Sequence, residues 1–277
     1  MWDTLQKILL SAVGATLGQL FTLVGPLLLF GWLIHLVSDL LERSTVRLLG
    51  LGAYMYIIGW IGTLVHELGH ALFCPVFGHK ITGMRLFSFN ARNRDAGYVS
   101  HSYTPGNVWH QAGNFFISVG PLMLGSLVIY VLLRYLAGLP LSLRALMAGG
   151  LSLDTGSGFV DWIGRFGALL WKLTVQIVRN IDWTSWRIYM AGWLVLSVGS
   201  GMTLSGPDLK AAAGGLGIIL AALLVINLTA ALLGYSAPDY SGMIRLSVTA
   251  CLLMTIVLIV CSLSTLVIRL LAAAFGR

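Results

Sequence analysis

Two histidines and a glutamate stand together in the segment HELGH, residues 66–70, inside one of the most apolar stretches of the chain. Residues four apart share one face of an α-helix, so His66 and His70 are expected to project side by side, with Glu67 at the edge of that face. Two neutral imidazoles at this spacing can bind one zinc ion, and the adjacent carboxylate can act as a general base toward water. The H-E-x-x-H pattern therefore predicts a hydrolytic zinc site.

The pattern carries weight because of its rarity and its surroundings. With six histidines and two glutamates in 277 residues, random placement would produce it on the order of once in a thousand such sequences. An ionisable side chain within a transmembrane helix costs about 2.5 to 3.5 kcal/mol, so this cluster implies compensation by partners, a metal or a water-filled cavity. The alternative is that the three groups satisfy one another as polar contacts between helices.

A catalytic zinc site needs a third protein ligand and an open position. Asp208, which follows a Gly-Pro pair between two apolar runs, is the first candidate, and Asp154 is the second. Asp208 could alternatively serve as an N-terminal helix cap without binding metal. The metzincin motif is excluded as a source of the ligand, because Phe73 and Val76 stand where it has glycine and histidine.

The composition is that of a membrane protein: 57% of residues are hydrophobic, 10% are charged, and the mean hydropathy is +0.88. Crossing a bilayer takes an apolar run of roughly 20 residues. We expect an all-α polytopic fold, a single membrane domain over residues 1–277 with about six transmembrane helices. The excess of basic over acidic residues, 17 to 10, is explained by charges that flank such spans, so no nucleic-acid partner is expected. The expected spans are 8–38, 50–74, 112–137, 187–206, 210–235 and 244–273.

Two further elements are predicted outside these spans. Alternating stretches at Ile81–Phe89 and Gly97–Tyr103 flank the turn-rich NARNRD, which predicts a small membrane-associated β-hairpin over about residues 79–105. An edge strand of this hairpin could hold an extended substrate. Basic residues at steps of seven within about residues 160–180 predict an amphipathic helix in the membrane interface, or a connecting helix whose charges face water. These residues are Arg165, Lys172 and Arg179.

Charge also suggests an orientation. The hairpin interval carries four basic residues and the loop near residue 45 carries two, so the positive-inside bias places the hairpin and the N-terminus in the cytoplasm. Because the residue before a proline disfavours the α region, the HELGH helix should end near Cys74, before Pro75. The candidate site would then lie near the cytoplasmic face, which we expect to be that of the plasma (inner) membrane. The four basic residues are Lys80, Arg85, Arg92 and Arg94, and the two are Arg43 and Arg47.

Taken together, HELGH near the end of an early span, a following hairpin with AGYV, a span opening with GNFFISVGPLMLG and a late aspartate resemble the site-2 protease family of intramembrane zinc metalloproteases. The resemblance covers roughly residues 50–236. It implies a zinc ion bound by His66, His70 and Asp208, with Glu67 as the base. It also implies a substrate that is a transmembrane protein cut within the lipid bilayer.

Other functions and other site residues stay open at this point. The chain could be a zinc hydrolase of lipid-like molecules, or a non-proteolytic transporter or scaffold with a polar cluster at HELGH. Hydrolysis also needs a donor that stabilises the developing oxyanion. The available polar groups near HELGH are His101, His110 and Asn114.

Overall fold

The computed structural model describes residues 2–89, 96–141, 159–235 and 241–275, and in these ranges the chain is almost entirely helical. An antiparallel pair of strands, β1 (Lys80–Arg85) and β2 (Tyr98–Ser102), follows the helix Trp60–Val76. The expected all-α polytopic fold with a small hairpin is confirmed. The helices are α1 (Trp2–Leu23), α2 (Gly25–Leu49), α3 (Leu51–Tyr54), α4 (Trp60–Val76), α5 (Val108–Val131), α6 (Phe159–Arg179), α7 (Trp186–Gly201), α8 (Gly206–Leu232) and α9 (Ser241–Ala274), with π-helical turns at Met55–Gly59 and Leu132–Leu136.

Within the described ranges, five helical stretches are long and apolar enough to cross a membrane. The expected span 187–206 is α7, which has 16 residues and therefore rises only about 24 Å, less than the roughly 30 Å of a bilayer core. The first expected span, 8–38, extends over both α1 and α2. The five stretches are Trp2–Leu49, Leu51–Val76, Val108–Leu136, Gly206–Leu232 and Arg245–Ala274.

Helix α4, which carries HELGH, packs closely against both α5 and α7. A Cβ atom added at Gly69 would lie 2.6 Å from the backbone nitrogen of Pro121, so only glycine permits this approach of α4 to α5. Gly62 of α4 meets Gly201 of α7 in the same way, backbone against backbone. Small residues let transmembrane helices come this near, and the two contacts fix the rotation of α4 about its axis.

The end of α4 differs slightly from the expectation. The helix continues through Pro75 to Val76, two residues beyond the expected end near Cys74. Gly78 stops it with a φ of 72°, where its N–H donates to the Pro75 carbonyl and the next N–H donates to the Cys74 carbonyl at 2.8 Å. This paired closure stabilises the last turn despite the proline, which has no N–H of its own. HELGH thus lies in the last turns of its span, as expected.

The hairpin begins directly after this turn and returns along α4. Its strands pair from Lys80 with Ser102 to Arg85 with Tyr98, and a bulge interrupts the register between Ile81 and Gly83. The predicted hairpin is confirmed, while its NARNRD turn, residues 90–95, lies outside the described residues. Both strands contact α4, so the hairpin packs against the HELGH helix.

Helix α6 is the predicted amphipathic helix. Its apolar residues Phe166, Leu170 and Ile177 are buried, and the helix packs on α9. The three basic residues that stand seven apart, Arg165, Lys172 and Arg179, are exposed. Part of the apolar face is therefore covered by protein, and a position in the membrane interface stays a prediction.

Candidate metal centre

The structure brings His66, His70 and Asp208 together at one point of the membrane domain. Each offers one ligand atom, and the three atoms lie within 4.8 Å of one another. The Nε2 atoms of the two histidines, one turn apart on α4, are 3.1 Å apart. Oδ1 of Asp208, in the first turn of α8, lies 3.5 Å from Nε2 of His70. The other sequence candidate, Asp154, lies outside the described residues.

Backbone carbonyls fix where the proton sits on both imidazoles. Nδ1 of His66 donates to the carbonyl of Gly201, and Nδ1 of His70 donates to the carbonyl of Ile117, both at 2.8 Å. A carbonyl can only accept, so each Nδ1 carries a proton and each neutral ring leaves Nε2 bare. The Ile117 carbonyl is free for this contact because Pro121, four residues later in α5, has no N–H to donate to it.

Two bare nitrogens and a carboxylate oxygen therefore point at one another with no proton to share. Such a group of acceptors is favourable only when a cation lies among them. Ligand atoms about 2.0–2.1 Å from a tetrahedral zinc ion lie about 3.3 Å apart, close to the 3.1 and 3.5 Å observed here. No fourth His, Cys, Asp or Glu from the described part of the chain joins the group. Three protein ligands with an open position are typical of catalytic zinc sites.

The two carboxylate oxygens of Asp208 make different contacts, and the N-cap of α8 is Ser205, with Asp208 three residues further on in its capping box. Oδ2 accepts from the backbone N–H of Ser205 at 2.9 Å and from its hydroxyl at 2.5 Å, while the Ser205 hydroxyl accepts from the backbone N–H of Asp208. This reciprocal capping box begins α8 and stabilises the first turn. Oδ1 is left to face His70. The cap therefore orients the carboxylate toward the histidines.

Glu67 lies beside this group, where the hairpin meets α4. Its side chain is only 8% exposed, and it forms no hydrogen bond within the described residues. Gly97, the residue before β2, lies directly against Glu67, because a Cβ atom added at Gly97 would lie 2.7 Å from Cγ of Glu67. A cavity of about 260 Å³ opens here and is lined by both Glu67 and His66. A buried, unpartnered carboxylate facing such a cavity is suited to taking a proton from a bound water.

A second pair of histidines lies near the base of the hairpin. The Nδ1 atoms of His79 and His101 are 2.9 Å apart, and Nε2 of His79 donates to the carbonyl of His110 at 2.8 Å. The ring of Tyr103 stacks on His79. Burial lowers the pKa of both His79 and His101, and for His101 the neighbouring imidazoles His79 and His70 lower the pKa further.

The candidate oxyanion donors are placed unequally. His101 interacts electrostatically with His70, whereas His110 accepts from the backbone N–H of Thr104. Asn114 is half-buried in α5. Sequence reasoning missed two residues that shape the centre: Pro121, which frees the Ile117 carbonyl, and Gly97, which admits Glu67. The Gly-Pro pair inside an apolar run and the AGYV segment were the signals for them.

Fold and site together define a polytopic helical membrane protein with a candidate metal centre at the end of its HELGH helix. Comparison with protein-family models, with curated proteins and with solved structures gave no match.

Proposed function

We propose that this protein is an intramembrane zinc metalloprotease of the site-2 protease type, which cuts peptide bonds in or near the transmembrane segments of other proteins. The observation that carries the proposal is the pair of Nε2 atoms of His66 and His70, 3.1 Å apart, each left bare by a carbonyl at its Nδ1. Together with Asp208 Oδ1 they form a ligand set for one divalent cation. Imidazole and carboxylate ligands in this number favour zinc.

Glu67 is assigned the role of general base and acid. A zinc ion at His66, His70 and Asp208 would supply Lewis-acid chemistry, lowering the pKa of water and polarising a carbonyl oxygen. Glu67 takes the proton from the attacking water and then passes it to the leaving amine. Its burial beside Gly97 keeps bulk water away from the carboxylate, while the cavity gives it access to a substrate.

The hairpin supports the choice of a peptide as substrate. A transmembrane helix has its amide groups tied up in its own hydrogen bonds, so it must unwind before a carbonyl reaches the centre. Among the described residues β1 and β2 pair only with each other, so each strand keeps a free edge beside α4. An extended substrate segment can add to such an edge through main-chain hydrogen bonds. The excess of basic residues in the hairpin interval supports a site on the cytoplasmic side of the plasma membrane.

Zinc content tests the first half of the proposal. Protein purified in detergent should carry about one zinc per chain, and His66→Ala should carry almost none, as measured by elemental analysis. The competing explanation, a proton shared between the two histidines and balanced by Asp208, requires protein without metal. A metal-free wild type that also fails to bind added zinc would therefore overturn the proposal.

Cleavage tests the second half, with Glu67→Gln as the decisive variant. This change keeps the size of the side chain and the ligand set, so zinc should stay bound while hydrolysis falls by at least about 100-fold. Membranes containing this variant should accumulate an uncut membrane protein that wild-type membranes convert to fragments, as seen by mass spectrometry. Altered lipids with unchanged proteins would instead indicate a lipid hydrolase. Zinc binding with neither change would indicate a transporter or scaffold.

A further inference from the structure

The cavity that opens at Glu67 extends away from the metal centre to α2. Its volume is about 260 Å³, and its walls come from α2, α3, α4, the link before β2, and the end of α7. Glu67 and His66 of α4 line it together with Glu42 of α2 and Leu51 of α3. At roughly 30 Å³ per water, this volume corresponds to a single long side chain with a few waters rather than to a large ligand.

Both glutamates of the chain, Glu42 and Glu67, line this one cavity. Glu42 is half-buried, and within the described residues it forms no hydrogen bond or ion pair. The neighbouring cation, Arg43, is held elsewhere, because it pairs with Asp39 at 2.9 Å one turn earlier on α2. Glu67 is more than nine-tenths buried and is also without a hydrogen bond in the described part of the chain.

The remaining lining is polar but brings no compensating charge. Hydroxyl groups of Tyr54, Thr63, Ser200 and Thr203 line the cavity, and no lysine or arginine does so among the residues that the structure describes. An acidic side chain inside a membrane domain is costly unless it is paired. A carboxylate without a partner, in a cavity without a cation, is therefore a site for a cationic group that arrives with a ligand.

We propose that Glu42 is a specificity-determining residue that binds a lysine or arginine side chain of the substrate, next to the bond that is cut. The proposal rests on the proposed function, because the substrate chain is taken to be held at Glu67 and His66. Because Glu42 lines the same cavity as Glu67 and His66, a substrate side chain that enters this cavity meets the Glu42 carboxylate. Lysine suits the space, since it has a flexible four-carbon stem that lies along apolar walls while its ammonium reaches a carboxylate.

The test measures binding, so that it does not depend on hydrolysis. Glu67→Gln protein in detergent is titrated with a set of synthetic transmembrane peptides, in which a single lysine replaces glutamine at successive positions of one end. The tightest lysine peptide should bind at least about tenfold better than the all-glutamine parent, as expected for a hydrogen-bonded charge pair. Adding Glu42→Gln should abolish this advantage. The matched control adds Asp161→Asn, which neutralises an exposed acid on α6 outside the cavity and should leave the advantage unchanged.

Two results would overturn the inference: no lysine position that improves binding, or an advantage that survives Glu42→Gln in protein that elutes as a folded species. The same peptides, incubated with the wild type, test the proposed function separately. If the peptides are cut equally well with and without lysine, the protease function is supported and Glu42 is excluded as its specificity-determining residue. If the lysine peptides bind in a way that depends on Glu42 but the wild type does not cut them, the cation-binding role of Glu42 is supported and the protease function is contradicted.

Discussion

Two pairs of histidines in this molecule make almost the same contact and have opposite chemical requirements. The His66 and His70 nitrogens lie 3.1 Å apart, and the His79 and His101 nitrogens lie 2.9 Å apart. In the first pair the Nδ1–H of each ring donates to a backbone carbonyl, so neither ring has a proton left for the contact between the two Nε2 atoms. In the second pair only His79 does so, and His101 is free to donate its Nδ1 proton to His79.

The comparison teaches that the distance between two histidines does not reveal a metal site, whereas the hydrogen bond at the opposite ring nitrogen does. The hairpin pair is satisfied by a single hydrogen bond between neutral rings. The pair on α4 has no proton for such a bond, and it has a carboxylate, Asp208, at 3.5 Å from His70. No carboxylate of the described residues lies within ion-pair distance of His79 or His101. Metal binding should therefore follow the first pair alone.

The largest expected effect comes from removing one member of each pair. His70→Ala should lower zinc affinity by more than the about 10–100-fold that the loss of an outer-shell partner costs, because it removes a ligand. His101→Ala removes an imidazole at a similar contact distance and should leave zinc content near that of the wild type. Zinc per chain after dialysis against a weak chelator measures both. Equal zinc loss in the two variants would contradict the assignment of metal binding to the His66 and His70 pair alone.

Asp208→Asn should have the next largest effect. Asparagine keeps an oxygen that can cap α8, but it loses the negative charge beside His70, so zinc affinity should fall by about 10–100-fold. Ser205→Ala is the matched control: it removes the capping hydroxyl and should lower the free energy of unfolding by about 1 kcal/mol while most of the zinc stays bound. If the asparagine variant kept full zinc occupancy, Asp208 would be a helix cap and nothing more.

A smaller effect is expected from Pro121→Ala, which tests the origin of the bare Nε2 on His70. Alanine restores a backbone N–H that can donate to the Ile117 carbonyl, and this competes with the Nδ1 proton of His70. Zinc affinity should fall by about tenfold, the lower end of what outer-shell changes cost. Pro75→Ala is the control, since Pro75 also lies inside a helix but outside this contact. A drop of the same size in both variants would indicate general loosening of the helices.

Much of this candidate centre could be predicted from the sequence because two of its three residues are close together in the chain. Residues four apart must share a face of a helix, so the side-by-side placement of His66 and His70 follows from the spacing alone. The proximity of Asp208 to the two histidines was expected from a count of six spans, but that count treated α7 as a full crossing, and α7 is too short for one. The hairpin followed from alternation on either side of a turn-rich cluster.

The rest depends on tertiary packing that no local pattern contains. Which carbonyl receives the Nδ1 proton of His70 depends on the face that α5 presents to α4, and hydropathy does not determine it. The same holds for Glu42, whose place in the cavity results from the path of α2 past α3. The bounds of α7 could not be found either, because the apolar run continues to residue 204 while the helix ends at Gly201.

The smallest effect is expected at the hairpin pair, as a change in how stability depends on pH. Burial lowers the pKa of His79 below its ordinary value of 6.5. As the pH falls through 6.5 the unfolded chain binds a proton that the folded chain does not, so the folded state loses stability toward acid. His79→Gln keeps a donor for the His110 carbonyl and an acceptor for His101, but it cannot titrate.

The effect of His79→Gln is measured in a His66→Ala background, because zinc binding itself depends on pH. There, the loss of melting temperature between about pH 8 and about pH 5.5 should be smaller with glutamine by about 2–3 °C at most. An unchanged slope would mean that His79 titrates alike in the folded and unfolded chains.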